Sequence, residues 1–215
     1  MARPVEFVRA EVISSAMNVF WHFGYGATSI NTLVKATKLK PGSLYGAFHS
    51  KRTLFLEIID TYAGNRLAGI EAELVAAATP MSAIEALFSR LRLELIADTD
   101  GRGCLMVNTL LELGSQDDEM RQRISAHLNR IEQHLATTLQ RAIDSGELHT
   151  DTSAAILSQF LMNGIWGLRV MSKKRPEPSV YDGIIHQLLL ALNPARTAPD
   201  LASTPATAHT DSLHA

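Results

Sequence analysis

The sequence predicts an all-α fold, and three observations carry that expectation. Apolar residues recur at helical spacing along most of the chain, runs with strand alternation are nearly absent, and capping residues stand where the apolar runs begin. The first expected helix places Val5, Val8, Val12, Ala16, Val19, Phe20 and Phe23 on one side and ends at the glycines of HFGYGA. Thr28 is the expected N-cap of a short second helix whose buried face is Ile30, Leu33 and Val34. The break TKLK separates it from a third short helix starting at Pro41, where a missing N–H costs nothing. Ser50 then caps a longer fourth helix bearing Leu54, Phe55, Ile58, Ile59 and Tyr62.

Beyond residue 78 the expected helices lengthen. Ser82 and Glu85 read as an S-x-x-E capping box for a helix running to about Ala97. DTDGRG reads as a turn, and CLMVNTLLEL as a short, buried, apolar helix. Ser115 and Asp118 open a long helix through Asp144, stopped at Gly146, and further helices are expected over 152–172 and 179–192. From Pro194 large apolar residues become scarce, which predicts a flexible tail. The organisation is therefore an N-terminal unit over 6–66 with a helix-turn-helix at about 29–48, a larger helical domain over 78–193, and the tail 194–215.

Composition narrows the class. A chain of 215 residues with 46% hydrophobic and 20% charged side chains can bury a sizeable core. It holds no apolar run long enough to span a bilayer, and the alternating charge of MARPVEFVRAEV predicts no signal peptide. The lone Cys104 allows no internal disulfide and suits a reducing cytoplasm. The net charge of −2 hides an asymmetry. Residues 1–52 carry seven basic against two acidic side chains, the remainder 13 against 20. One end of the molecule is thus suited to a polyanion and the other is not.

The basic end concentrates its charge in KATKLKPGSLYGAFHSK, which holds four lysines and no carboxylate. Two short helices joined by a tight break and packed on a longer one form a helix-turn-helix, whose second helix can enter a major groove. Leu39, Leu44 and Phe48 are the expected anchors of that helix, while Gly42, Ser43, Gly46 and Ala47 keep its other face low enough to approach base edges. Lys40, Tyr45, Thr28 and Lys51 ring the same face as phosphate-contacting groups. The lysines hold a backbone, and the small residues admit the helix.

The stretch FWHFGYGATSINTLVKATKLKPGSLYGAFHSKRTLF resembles the N-terminal signature of the TetR family of transcriptional regulators. The likeness covers about residues 6–66 and lies in the order of its parts: a Gly-Tyr turn, Thr-Ser opening the second helix, Leu-Tyr and Phe in the third, and Ser-Lys before the fourth. By that resemblance Thr28, Tyr45 and Lys51 match positions that touch phosphates, and Ser43 and Gly46 match positions near bases. The chain departs from many members at Lys40 and Pro41, where they have Ser and Lys, and at Gly46 and Ala47, where they have a histidine or aromatic residue. Side-chain hydrogen bonds to bases are then scarce, and reading must lean on Ser43, on backbone contacts or on DNA shape.

The resemblance further implies a body that dimerises and holds a ligand, hence a dimeric repressor of an operator in double-stranded DNA, released by a small molecule or reactive electrophile. Ile156, Phe160, Trp166 and Val170 give the expected dimer stripe, with Gly164 and Gly167 permitting close helix approach. Such a dimer would set two reading helices roughly 34 Å apart. GRGCLMVNTLLEL resembles the corresponding segment of NemR-like members, which sense electrophiles through a cysteine. Cys104, expected at a helix start beside Arg102, is therefore either a thiolate sensor or a small apolar core residue. Met106, Met162, Met171 and Trp166 either line an apolar pocket or pack the core.

His127 and His134 share a helix face but lie about 10.5 Å apart, too far for one metal ion. No H-E-x-x-H, G-x-S-x-G or phosphate-loop pattern occurs, so no catalytic residue, metal or cofactor is expected. The competing reading from another class is an all-α enzyme or small-molecule carrier with an incidental basic face.

Overall fold

A computed structural model describes residues 8–192, all helix and connecting turns with no strand among them. The expectations for Val5, for the start of the first unit and for the tail from Pro194 fall outside these residues. The helices are α1 (Arg9–Ala27), α2 (Ile30–Thr37), α3 (Pro41–Phe48), α4 (Lys51–Ala76), α5 (Pro80–Ala97), α6 (Leu105–Leu113), α7 (Asp118–Asp144), α8 (Ala154–Met171) and α9 (Pro178–Leu190).

Helices α1 to α3 and the first turns of α4 form the head. Val12, Ile13, Ala16 and Phe20 are the buried face of α1, whereas Val8 and Phe23 are exposed, contrary to the apolar pattern. Val8 is only the N-cap, ahead of the first turn, while Gly24, whose φ of 80° breaks the helix, swings the side chain after it inward. Tyr25 thereby takes the place expected of Phe23, its ring 6.1 Å from Phe20 and 4.9 Å from Phe55.

Helix α4 runs 26 residues without interruption through the expected boundary near residue 66, so head and body share one helix. In the body α7 lies against α4, α5, α6 and α8, and α9 closes on α5 and α8. The α4–α7 seam is partly polar. Asp60 pairs with Arg123 at 3.0 Å and with His127 at 2.9 Å, and Glu71 pairs with His134 at 3.0 Å. That accounts for the two histidines seven residues apart. No group of three or more His, Cys, Asp or Glu that could hold a metal ion is found among the described residues.

Several boundaries differ from the sequence pattern for local reasons. The capping box of α5 is Thr79 with Ser82 rather than Ser82 with Glu85, because Pro80 starts the helix a turn earlier. Asp117, not Ser115, caps α7 by accepting from the Met120 N–H at 3.0 Å, and Gly146 ends it at φ 76°. Helix α6 buries only Leu105, Met106 and Thr109 and leaves Leu111 73% exposed.

Candidate nucleic-acid interface and effector cavity

The turn between α2 and α3 is built from its own side chains. Thr37 donates its hydroxyl to the Leu33 carbonyl at 2.8 Å, Lys38 takes the left-handed conformation at φ 58°, and Lys40 leads extended into Pro41. Leu33, Leu39, Leu44 and Phe48 are all buried and fix the angle at which α3 sits on the head. The opposite face of α3 carries Gly42, Tyr45, Gly46 and His49, spaced i, i+3, i+4 and i+7, all exposed. A methyl group added to Gly42 or Gly46 would meet nothing within 4 Å. Lys40 is exposed at the entry to this face, and Ser43 lies half-buried at its flank. From Val12 to Leu56 the chain contains no Asp or Glu, so the face has no fixed negative charge of its own. Low relief, free lysines and a helix N-terminus together suit a polyanion.

Two of the residues expected on this surface bond to the chain itself. Thr28 is 1% exposed, and its hydroxyl donates to the Gly24 carbonyl at 2.6 Å, so its side chain is held at the joint. The N-cap of α2 is its neighbour Ser29, which accepts from the Thr32 N–H at 3.1 Å and remains exposed. Lys51 is a brace. Its ammonium donates to the carbonyls of Tyr25 at 2.8 Å and Thr28 at 2.9 Å and lies 4.2 Å from the centre of the Tyr25 ring. Two of its three protons are thereby committed to the end of α1 and the residue that follows it.

The same joint is tied to the body by carboxylates that no local pattern announces. Glu112, near the end of α6, accepts from the backbone N–H groups of Tyr25 at 3.0 Å and Gly26 at 2.6 Å. Asp117 and Glu119 at the start of α7 take the guanidinium of Arg52 from α4, with contacts of 2.8–3.1 Å. These links place α6 and α7 directly on the base of the helix-turn-helix. Charge-assisted bonds of this kind are worth about 1.5–3 kcal/mol each. Glu112→Gln should therefore lower stability by roughly 2 kcal/mol and Tm by about 4–8 °C. A melting curve superimposable on that of the unaltered protein would show that the joint does not depend on this carboxylate.

Within the body, a cavity of about 60 Å³ lies between α4, α5, α7 and α8, walled by Leu91, Met106, Leu128, Ile131, Met162 and Trp166 among others. Cys104 also borders it. This residue is the N-cap of α6, it is buried, and its sulfur receives the Tyr62 hydroxyl at 3.8 Å. Burial, with the neighbouring Cys104 as a further cause, raises the Tyr62 phenol above its usual range, so it stays a neutral donor. Arg102 does not face the thiol as its position in the sequence suggested. Its guanidinium lies 4.5 Å from the centre of the Trp21 ring and 3.6 Å from Asp98.

The expected dimer residues separate into two groups. Phe160 and Gly167 stand on the exposed face of α8 with Ile156 and Val170. Trp166 and Gly164 do not: Trp166 lines the cavity, and a side chain at Gly164 would meet Leu188 of α9 at 2.6 Å. Gly164 thus serves close approach, but within the chain. Sequence reading missed one further feature, a cluster in which Arg66 of α4 and Arg169 of α8 converge on Glu94 of α5, with Arg90 and Glu73 beside it. Its only local signal is the Arg90–Glu94 spacing of i, i+4, at 3.5 Å.

Comparison with known proteins agrees with this layout. Residues 12–58 match "Bacterial regulatory proteins, tetR family", and residues 80–188 match "Tetracyclin repressor-like, C-terminal domain". The chain is 28% identical to the transcriptional repressor ComR of Escherichia coli over 173 residues, covering 80% of this chain and 82% of that protein. It is similar to CifR, a TetR family regulator solved as a cysteine variant with 26-bp double-strand operator DNA. The identity is 29% and the TM-score 0.79, over 88% of this chain and 99% of that one. The reduced form of Escherichia coli NemR shares the fold at 17% identity and a TM-score of 0.75, over 84% of this chain and 94% of that one. Head, joint and body together are those of a DNA-binding transcriptional regulator, and the chain belongs to the tetR family.

Proposed function

We propose that the chain is a dimeric repressor that holds operator DNA through the exposed face of α3 and is released when a small molecule enters its body. The observation that carries the DNA reading is that face itself: Gly42 and Gly46 open, Lys40 and Tyr45 flanking, and no carboxylate from Val12 to Leu56. Lys40 and Tyr45 contact phosphates, while Ser43 and the backbone at Gly46 lie nearest the bases. ComR, described as a repressor, and CifR, solved on operator DNA, support repression and operator binding by likeness. No helix among the described residues is long and apolar enough to cross a membrane. We read the protein as cytoplasmic and as having no catalytic activity of its own. The test is selection from random DNA fragments, followed by titration of the selected site at several salt concentrations. Affinity should fall steeply as salt rises, as expected when several phosphates are neutralised. Failure to enrich any sequence would remove the operator reading.

A second form of the effector is favoured by one observation: Cys104 borders the cavity. An electrophile small enough to enter would alkylate the thiol and add bulk at the N-terminus of α6, the helix whose far end holds the joint through Glu112. Modification must weaken DNA binding to act as a signal, since only a difference in affinity between states shifts an equilibrium. Cys104→Ser should bind DNA normally and ignore maleimides or quinones that release the unaltered protein. If the thiol of the folded protein resists labelling, or the serine variant is released equally well, the effector binds without covalent chemistry.

A further inference from the structure

The apolar cavity has a second hollow beside it, of about 300 Å³, bordered by Trp21, Tyr62, Asp98 and Arg102 among others. Arg66, Glu94 and Arg169 border both spaces. These three side chains are therefore a charged partition between an apolar chamber and a second hollow with more polar groups in its wall. Glu94 receives two contacts from Arg66 at 2.7 and 2.8 Å, another from Arg169, and lies 3.5 Å from Arg90. Arg90 also meets Glu73 at 3.1 Å. The side chain of Arg169 is only 7% exposed.

Three guanidiniums here share two carboxylates, leaving one unit of positive charge in a partly desolvated site. A guanidinium offers five N–H donors, so three guanidiniums exceed what two carboxylates can take up, although Oε2 of Glu73 is buried without a partner. Burial tends to raise the pKa of Glu94, yet the charges of Arg66 and Arg169 outweigh it and hold the group below the usual carboxylate range. The arginine side of the partition thus favours negative charge. A ligand amine would meet like charge there, and an alcohol would leave the excess charge unmatched. A carboxylate supplies both the missing charge and the missing acceptors, in the planar geometry that arginine pairs with best. On the other side, a cavity of about 60 Å³ has room for roughly four to six water-sized groups. That suits a short apolar tail.

We propose that this partition is the recognition site for a monocarboxylate with a short apolar tail, its head taking Arg66 and Arg169 from Glu94 and its tail filling the chamber beside Met106 and Trp166. The assignment rests on the effector reading above and names the ligand class for it. Release follows from where the three residues stand. The contact ties α4, which begins in the head, to α5 and to α8, so exchange of Glu94 for a ligand carboxylate loosens the body's hold on α4.

The experiment is calorimetric titration of the full-length protein with hexanoate, hexylamine and hexanol, repeated on two variants, with operator binding measured alongside. Hexanoate should bind and the amine and alcohol should not. Arg169→Met, which keeps volume and removes charge, should weaken hexanoate about ten-fold or more. Because Arg169 is buried and its loss alone could unfold the body, Glu94→Gln supplies the opposite sign. Removing the competing carboxylate should tighten hexanoate several-fold, which a purely structural role for Glu94 would not do. Binding of hexylamine in preference, or weaker hexanoate binding by Glu94→Gln, overturns the proposal. Hexanoate that binds with this variant pattern but leaves operator affinity unchanged upholds the site and removes the release reading instead. No binding of hexanoate by a protein that still holds its operator overturns the site and leaves the DNA-binding reading intact.

Discussion

A Gly46→Glu protein should fold at least as stably as the original and lose operator binding by about 100-fold or more, roughly 3 kcal/mol. Position 46 lies in the middle of the exposed face of α3, and an added side chain there meets nothing within 4 Å. Glycine inside a helix is less stable than alanine by about 0.5–1 kcal/mol, so any ordinary side chain should help the isolated fold. On DNA the same carboxylate would be pressed against base-edge acceptors and phosphates, which repel it. Gly46→Ala separates the two effects, since it adds a methyl group without charge. It should melt slightly higher than the parent and weaken binding far less than the glutamate. Gel-shift titration together with a circular-dichroism melt reads both quantities. A glutamate variant that shifts operator DNA at the parent's concentration would place some other face in the groove.

What the sequence made legible followed the range of the interactions. The head core was readable because Leu33, Leu39, Leu44 and Phe48 lie within one short segment, and helical phase alone decides which side they take. Thr28 was misplaced because two adjacent hydroxyl residues can each cap a helix, and only the fold shows that Ser29 does so while Thr28 turns back to Gly24. The bracing bonds of Lys51 were hidden for a longer-range reason. Its partners are carbonyls left free near the end of α1, up to 26 residues away in the chain. The Glu112 latch and the Arg66–Glu94–Arg169 contact join residues 28 to 87 positions apart, and no periodicity encodes such pairs. Helix α8 posed a different difficulty. It is apolar on nearly every side, with Leu157, Leu161 and Leu168 buried and Ile156, Phe160 and Val170 exposed, so the hydrophobic pattern could not tell an inner face from an outer one.

Phe160→Glu should convert the protein from a dimer to a folded monomer. Ile156, Phe160, Asn163, Gly167 and Val170 are exposed at alternating spacings of four and three, the repeat by which one helix meets another along a seam. Phe160 keeps 44% of its surface accessible, and a side chain at Gly167 would touch nothing, so this face makes little use of its apolar groups within the chain. A two-fold axis through α8 would set the stripe against its own copy, burying both phenylalanines together. A glutamate in that position would bring two carboxylates into one apolar seam, at a cost of several kcal/mol unless both took up protons. The fold of each chain should survive, because the substituted side chain already faces solvent, whereas Leu161→Glu one position along enters the core and should unfold the body. Operator affinity should fall by about 100- to 10,000-fold, because the second head no longer binds as a tethered partner. Sedimentation velocity and gel-shift titration on the same preparation read assembly and affinity together. A Phe160→Glu protein that still sediments as a dimer would place the seam elsewhere, and the two half-sites would then have to be spaced by another surface.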